Sequence, residues 1–280
     1  MKAAAFDYAK PATVAEAVEL KARHGDGARF LAGGQSLLPV LNFRLNRPDL
    51  LIDIGGLSQL RSIAIAGDRL RIGALVRHAE IGRSQVVATA APMLARCVEH
   101  IAHPAVRTMG TFGGSVALAD PAAEWPAACL ALDATIVTAG PDGERSIRAI
   151  DFFLGHYVTA LLTDELLVRV EVPLAPPGAR AVALELTRRR GDFAIVGLLA
   201  QAVCDGGALS EVRTAFFGIA DRPIRLPTVD AALTGTPVPA TAKAALDAGL
   251  PAQPDLYHTS ATKLHLAKVL LERAVAQLTA

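Results

Sequence analysis

The chain has 280 residues, 52% of them apolar and 20% charged, enough for a sizeable core and incompatible with a wholly disordered polymer. Its net charge is +1 and no domain is basic, which argues against nucleic acid or an anionic membrane surface as the main partner. The longest stretch without Asp, Glu, Lys or Arg is residues 30–43, short of the about 20 apolar residues that a membrane-spanning helix needs.

Residues 1–7 meet an acid, Asp7, too early for a signal peptide, so the cytoplasm is the expected location. Thr13-Val14-Ala15-Glu16 has capping-box spacing and predicts a helix to His24, closed by Gly25. A short buried strand is expected at 28–32, then a loop at Gly33-Gly34-Gln35-Ser36. Ser36 is the expected cap of a helix over 37–44, with Pro39 harmless in its first turn. Residues 50–54 predict a second buried strand, and this β–α–β alternation points to a small parallel sheet within 1–56. The pattern then changes. Residues 63–66 and 70–74 flank Gly67-Asp68-Arg69 as a hairpin. A helix is expected over 90–101, and strands at 134–138 and 166–172, in a mixed or antiparallel unit spanning 57–177. Pro173, Pro176, Pro177 and Gly178 mark a linker. Beyond it, 181–186 and 194–204 are strand-like, and 241–248 and 260–278 are helical. The expected fold class is α+β, with a domain at 1–177 and a C-terminal α+β domain at 178–280.

Common catalytic signatures fail. No Walker A loop is present. Gly25-Asp26-Gly27-Ala28-Arg29-Phe30 starts like a dinucleotide fingerprint but has Phe where the third Gly belongs. Gly34-Gln35-Ser36-Leu37-Leu38 lacks the second Gly of a nucleophile elbow. His100 and His103, and His258 and His265, lack the further ligands that a zinc site needs, so no metal site is expected. The three cysteines, Cys97, Cys129 and Cys204, are scattered, too few for a cysteine-ligated iron–sulfur cluster.

Two segments carry more. Ala32-Gly33-Gly34-Gln35-Ser36 follows a strand and precedes a helix, and Thr111-Phe112-Gly113-Gly114-Ser115 again sets paired glycines beside a hydroxyl. Consecutive free N–H groups in such loops form an anion-binding concavity, and two loops suit a pyrophosphate. Ordinary tight turns are the competing reading, and on physics alone the two are evenly matched. Arg188-Arg189-Arg190-Gly191-Asp192-Phe193 is either a solvated basic turn or a ligand-facing segment.

At these residues the chain resembles the FAD-binding medium subunits of molybdenum hydroxylases, the xanthine dehydrogenase and carbon monoxide dehydrogenase family. The motifs are Ala32-Gly33-Gly34-Gln35-Ser36-Leu37-Leu38-Pro39, Thr111-Phe112-Gly113-Gly114-Ser115, Ala119-Asp120-Pro121-Ala122-Ala123-Glu124 and Arg189-Arg190-Gly191-Asp192-Phe193-Ala194, in the same order. The resemblance implies a two-part flavin-binding domain of the PCMH type. Ala32, Gly33, Gly34, Gln35 and Ser36 would hold the FAD pyrophosphate from one side, and Thr111, Gly113, Gly114 and Ser115 from the other. Asp120 and Glu124 would meet ribityl and ribose hydroxyls. Leu167 would offer a backbone group to the flavin ring, and Asp192 and Phe193 would pack on it. Val76, the Thr108-Met109 pair, and Leu184 with Glu185 depart from the common pattern.

The resemblance also implies partners: a small subunit with two [2Fe–2S] clusters and a large molybdopterin subunit that oxidises the substrate, assembled as a dimer of heterotrimers. Electrons would reach FAD in this chain and leave to an external acceptor, so no side chain is expected to be catalytic. The alternatives are a self-sufficient FAD oxidase or reductase, for which Tyr157 and the histidines are the only proton-transfer candidates, and a scaffold subunit without cofactor.

Overall fold

The structure is a computed structural model that describes residues 2–280. The first sheet holds β1 (Asp7–Ala9), β2 (Ala28–Leu31) and β3 (Leu50–Asp53), with α1 (Val14–His24) and α2 (Leu37–Asn42) between them. Its order is β1-β3-β2 and both pairings are parallel. The Thr13 hydroxyl accepts the Glu16 N–H at 3.1 Å, and the Glu16 carboxylate accepts from Ala12 N at 2.7 Å. Lys21 is buried because its ammonium caps the far end of α1, donating to the carbonyls of Gly25 at 2.5 Å and Ala28 at 3.0 Å.

The second sheet is antiparallel, in the order β4-β5-β10-β6-β7. β4 (Ile63–Ala66) and β5 (Arg69–Gly73) form the expected hairpin. A run of short helices follows: α3 (His78–Arg83), α4 (Gln85–Ala90), α5 (Pro92–Cys97), α6 (Pro104–Arg107), α7 (Phe112–Leu118) and α8 (Glu124–Ala131). The single helix expected over 90–101 is a correction: Pro92 sets the first turn of α5 after Ala91 leaves helical geometry at φ −149°, and α5 ends at Cys97. Next come β6 (Thr135–Gly140), β7 (Gly143–Arg148), α9 (Ala149–Phe152), a small hairpin of β8 (Phe153–Gly155) and β9 (Val158–Thr159), and the central strand β10 (Leu166–Pro173).

The third sheet is a meander of β11 (Ala179–Leu186), β12 (Val196–Asp205) and β13 (Ala208–Phe217). α10 (Pro227–Leu233), α11 (Pro239–Gly249) and α12 (Ser260–Thr279) follow it, and Leu270, Leu271 and Leu278 of α12 are buried in its core.

Three apolar clusters fill the molecule. One joins Val18 of α1 and Ile52 of β3 to Val137, Leu166 and Val168 of the second sheet. The largest joins Trp125, Phe112 and Leu94 to Leu199, Ala215 and Phe217 of the third sheet. Helices α5 and α8 therefore form a layer between the second and third sheets, and the chain between them runs through the candidate site.

Candidate functional site

Strand β2 ends at Leu31 and delivers residues 32–36 to the edge of the first sheet. Gly34 is left-handed, with φ +71°. The backbone N–H groups of Ala32, Gly33, Gly34, Gln35 and Ser36 donate to no other group among the described residues. The Gln35 side chain closes the loop by donating to the Gly33 carbonyl at 3.1 Å. A run of open N–H groups around a left-handed glycine is a concavity for an anion. The Ser36 hydroxyl does not cap α2 as expected: Ser36 is itself helical in φ and ψ, so its side chain is not aimed at the helix N–H groups.

The second motif lies against the first. A Cβ added at Gly33 would sit 2.3 Å from the Met109 carbonyl oxygen and 2.9 Å from the Gly110 Cα. Only glycine permits that approach. Thr111 then caps α7, accepting the Gly114 N–H at 3.2 Å. The expected loop of free N–H groups at 111–115 is thus corrected to a helix start whose donors are committed. Phe112 N donates to the Val76 carbonyl at 2.9 Å and Gly113 N to the Ala74 carbonyl at 2.9 Å. Ser115 N returns to Thr111 O at 3.1 Å. What this side offers a ligand is the Ser115 hydroxyl and the positive end of the helix.

Two residues that sequence reasoning missed support the junction. His78 is 5% exposed and lies under Gly110, whose carbonyl accepts the His78 N–H at 3.1 Å. Trp125 is fully buried and donates its indole N–H to His78 Nδ1 at 2.9 Å, while Phe112 meets it edge-on at 5.0 Å. Burial, with the nearby Arg77 and Arg107 charges, pushes the His78 imidazole down to about 4. His78 is therefore neutral, with Nδ1 as acceptor. Arg77 donates to the Met109 carbonyl and so ties the same junction from outside.

Asp120 is 8% exposed and both its oxygens are used: Oδ1 accepts from Ala122 N at 2.9 Å and Oδ2 from the Tyr157 hydroxyl at 2.9 Å. Burial and the Asp120 charge push that hydroxyl up to about 12, so it remains a donor. Glu124 opens α8, and burial pushes its carboxyl up to about 8. Leu167 is buried in β10, opposite Thr138, beside a bulge in the ladder. Asp192 and Phe193 lie in the turn after β11, where Phe193 is 71% exposed. Gly191 rests on His103, three residues beyond His100, so that turn also meets the segment leading to Gly110. Among the described residues, no group of three His, Cys, Asp or Glu could hold a metal, and no helix is long and apolar enough to cross a membrane.

Residues 4–175 match the family model described as the FAD binding domain in molybdopterin dehydrogenase, and residues 183–278 match the CO dehydrogenase flavoprotein C-terminal domain. The chain belongs to this family of FAD-binding dehydrogenase subunits. It is 38% identical over 283 residues to the 6-hydroxypseudooxynicotine dehydrogenase complex subunit alpha of Paenarthrobacter nicotinovorans, covering 99% of this chain and 95% of that one. Its structure is similar to carbon monoxide dehydrogenase from Hydrogenophaga pseudoflava, with TM-score 0.95 and 34% identity over 99% of this chain and 98% of that one. Quinoline 2-oxidoreductase from Pseudomonas putida 86 matches with TM-score 0.93 and 37% identity over 100% and 98%. The α+β fold and the FAD-subunit resemblance stand on these matches, and this family's members are subunits of oxidoreductases.

The donor set fits the pyrophosphate of a dinucleotide flavin. Five successive N–H groups have no partner among the described residues, and the start of α7 lies against them, with Gly33 abutting Met109 and Gly110. When bound, FAD supplies the redox chemistry, and the chain's own part is to bind, orient and shield it.

Proposed function

We propose that the chain holds FAD between residues 32–36 and 111–115 and serves as the electron relay of a heteromeric molybdenum hydroxylase. The observation that carries this reading is the run of uncommitted N–H groups at residues 32–36, pressed by Gly33 against the segment that opens α7. In this reading the Asp120 and Glu124 carboxyls line the ribityl and ribose side. Leu167 and the Asp192–Phe193 turn border the flavin ring, and the exposed Phe193 ring covers it. The flavin-binding domain ends near residue 177. Electrons come from the [2Fe–2S] clusters of a small subunit, and the organic substrate is oxidised at a molybdopterin on a large subunit. The assembly is a dimer of such heterotrimers in the cytoplasm.

The first test is an absorption spectrum of the purified chain after FAD incubation and desalting, with Gly33→Asp and Gly114→Asp beside it. We expect a flavin spectrum near one FAD per chain, lost in both variants, because a side chain at Gly33 is forced against the Met109 carbonyl and one at Gly114 against the Thr111 hydroxyl that caps α7, which breaks the junction of the two segments. Retention of flavin by both variants overturns the two-segment site. Efficient oxidation of an organic substrate by the chain alone replaces the relay with a self-sufficient oxidase. A colourless chain that stays colourless when co-expressed with its partners replaces it with a scaffold.

A further inference from the structure

Helix α2 reads Leu37-Leu38-Pro39-Val40-Leu41-Asn42, yet of these residues only Leu41 is buried. A helix that serves its own core buries its apolar stripe, and this one leaves most of it outside. Leu38 is exposed, and Phe43 and Leu45, just beyond the helix, are 63% and 79% exposed. A single exposed apolar side chain is ordinary, but three in one short segment form a patch.

The turn that presents them is fixed. Leu45 N donates to the Val40 carbonyl at 3.0 Å and Arg44 N to the Leu41 carbonyl at 2.9 Å, the paired closure of a Schellman motif. The left-handed position of that motif is usually glycine, and here it is Arg44, with φ +58°. The residue after it commonly packs back on the helix, whereas Leu45 faces solvent. The chain keeps a strained residue in a turn that holds apolar side chains outward, and strain of this kind gathers at segments with a use.

The charges narrow what fits. Between Phe30 and Pro48 the only ionisable side chains are Arg44 and Arg47. Arg44 donates from Nε to the Lys2 carbonyl at 3.1 Å, and neither guanidinium meets a carboxylate among the described residues. Asp49, the nearest acid in sequence, lies against Gly27 instead. Apolar anchors beside arginines, with no Lys or Glu among them, have the make-up of a protein interface. A second copy of this chain fits poorly, because a two-fold contact brings the same cations of both copies together. An anionic membrane fits poorly too, because two cations attract it only weakly.

We propose that residues 37–47 seat a partner subunit whose docking face is an apolar hollow rimmed by Asp and Glu, an inference that rests on the heteromeric reading above. Phe43 and Leu45 enter the hollow, and Arg44 and Arg47 pair with its rim. Leu38 rests on Gly34, where an added Cβ would meet its Cδ1 at 2.9 Å. The partner therefore stands beside the loop assigned to the pyrophosphate.

The test uses the full chain with its co-expressed partner subunits. A photo-cross-linking amino acid at position 45 should join the chain to one of them. A product that joins two copies of this chain, or none from an assembled complex, overturns the proposal. The affinity of assembly is then followed with salt. Phe43→Ser combined with Leu45→Ser should weaken it roughly tenfold or more, while the free chain keeps its circular dichroism, since neither side chain is buried. Arg44→Gly, which supplies the residue the motif prefers, and Arg47→Gln should flatten the salt dependence. A merely structural loss would leave that dependence as it was. Assembly that matches wild type in every variant overturns the docking face alone. So does binding of the free chain to phosphatidylcholine–phosphatidylserine vesicles that the serine variant abolishes while its assembly is unchanged. A wild-type chain that joins no partner overturns the heteromeric reading and the seat with it, whatever its flavin content.

Discussion

His78 shows how one side chain senses pH from beneath a binding segment. The unfolded imidazole takes a proton near 6.5, but the native one resists until about 4, because burial penalises the charged ring and its charge would lie near Arg77 and Arg107. Its folded value is depressed, so the stability it contributes is present above 6.5 and is lost as pH falls towards about 4. The loss is on the order of 3 kcal/mol, at about 1.4 kcal/mol per unit. Trp125 is the only tryptophan, so its fluorescence reports the event directly. We expect a melting temperature that drops through this window, with a far weaker drop in His78→Gln; equal drops in both would assign the acid sensitivity to other groups. Nothing in the sequence announced this pair. Residues 78 and 125 lie 47 positions apart, and each is unremarkable within its own segment. Gly33 was legible, because Gly-Gly before a hydroxyl narrows the local geometry to a few forms. That its Cα rests on the Met109 carbonyl was not, since only the tertiary fold brings residue 109 there.

At the scale of elements, α1, β2, β3 and the β4–β5 hairpin were legible because a cap, an apolar run or a turn marks each one. β1 is three residues long and exists because Asp7, Tyr8 and Ala9 pair with Leu50, Leu51 and Ile52. β7 is a polar edge strand, largely exposed, so no apolar alternation betrays it. Motif 111–115 was recognisable, but its conformation depended on Ala74 and Val76 presenting carbonyls to α7. Helix α8 carries a conflict of its own. An acid at its first turn suits the helix dipole, yet burial holds the Glu124 carboxyl neutral up to about 8. Its folded value is raised, so its contribution is complete below the unfolded carboxyl range and is lost as pH rises through about 8. Glu124→Gln removes a group that must ionise on unfolding. The variant's melting temperature should therefore gain on wild type steadily as pH is raised from acidic to mildly alkaline. A constant difference across that range would mean that the carboxyl is already ionised in the native chain.

For the whole molecule, the decisive feature is that the largest apolar cluster crosses the expected boundary at the proline-rich linker. Phe217 of β13 is 1% exposed and shares that cluster with Trp125 of α8, while α5 lies against β11. Asp133, just after α8, adds polar ties to Arg213 and, at 2.5 Å, to Arg225. An electron relay needs its flavin held at a fixed distance from the donor and the acceptor, and a shared core fixes the segments around the site more firmly than a linker could. The proline-rich linker was an expectation from composition, and this joint could not be one, because inward-facing residues of a meander do not declare which layer they will meet. Phe217→Ala tests it. Truncating a fully buried phenylalanine costs about 3–5 kcal/mol. If the core is one cooperative body, calorimetry of wild type gives a single transition, and the variant lowers it whole. If the regions before and after residue 177 melt independently, the variant lowers one transition and leaves the other in place. In that case the joint through α5 and α8 is a soft contact, and the geometry around the flavin must be held by the partner subunits instead.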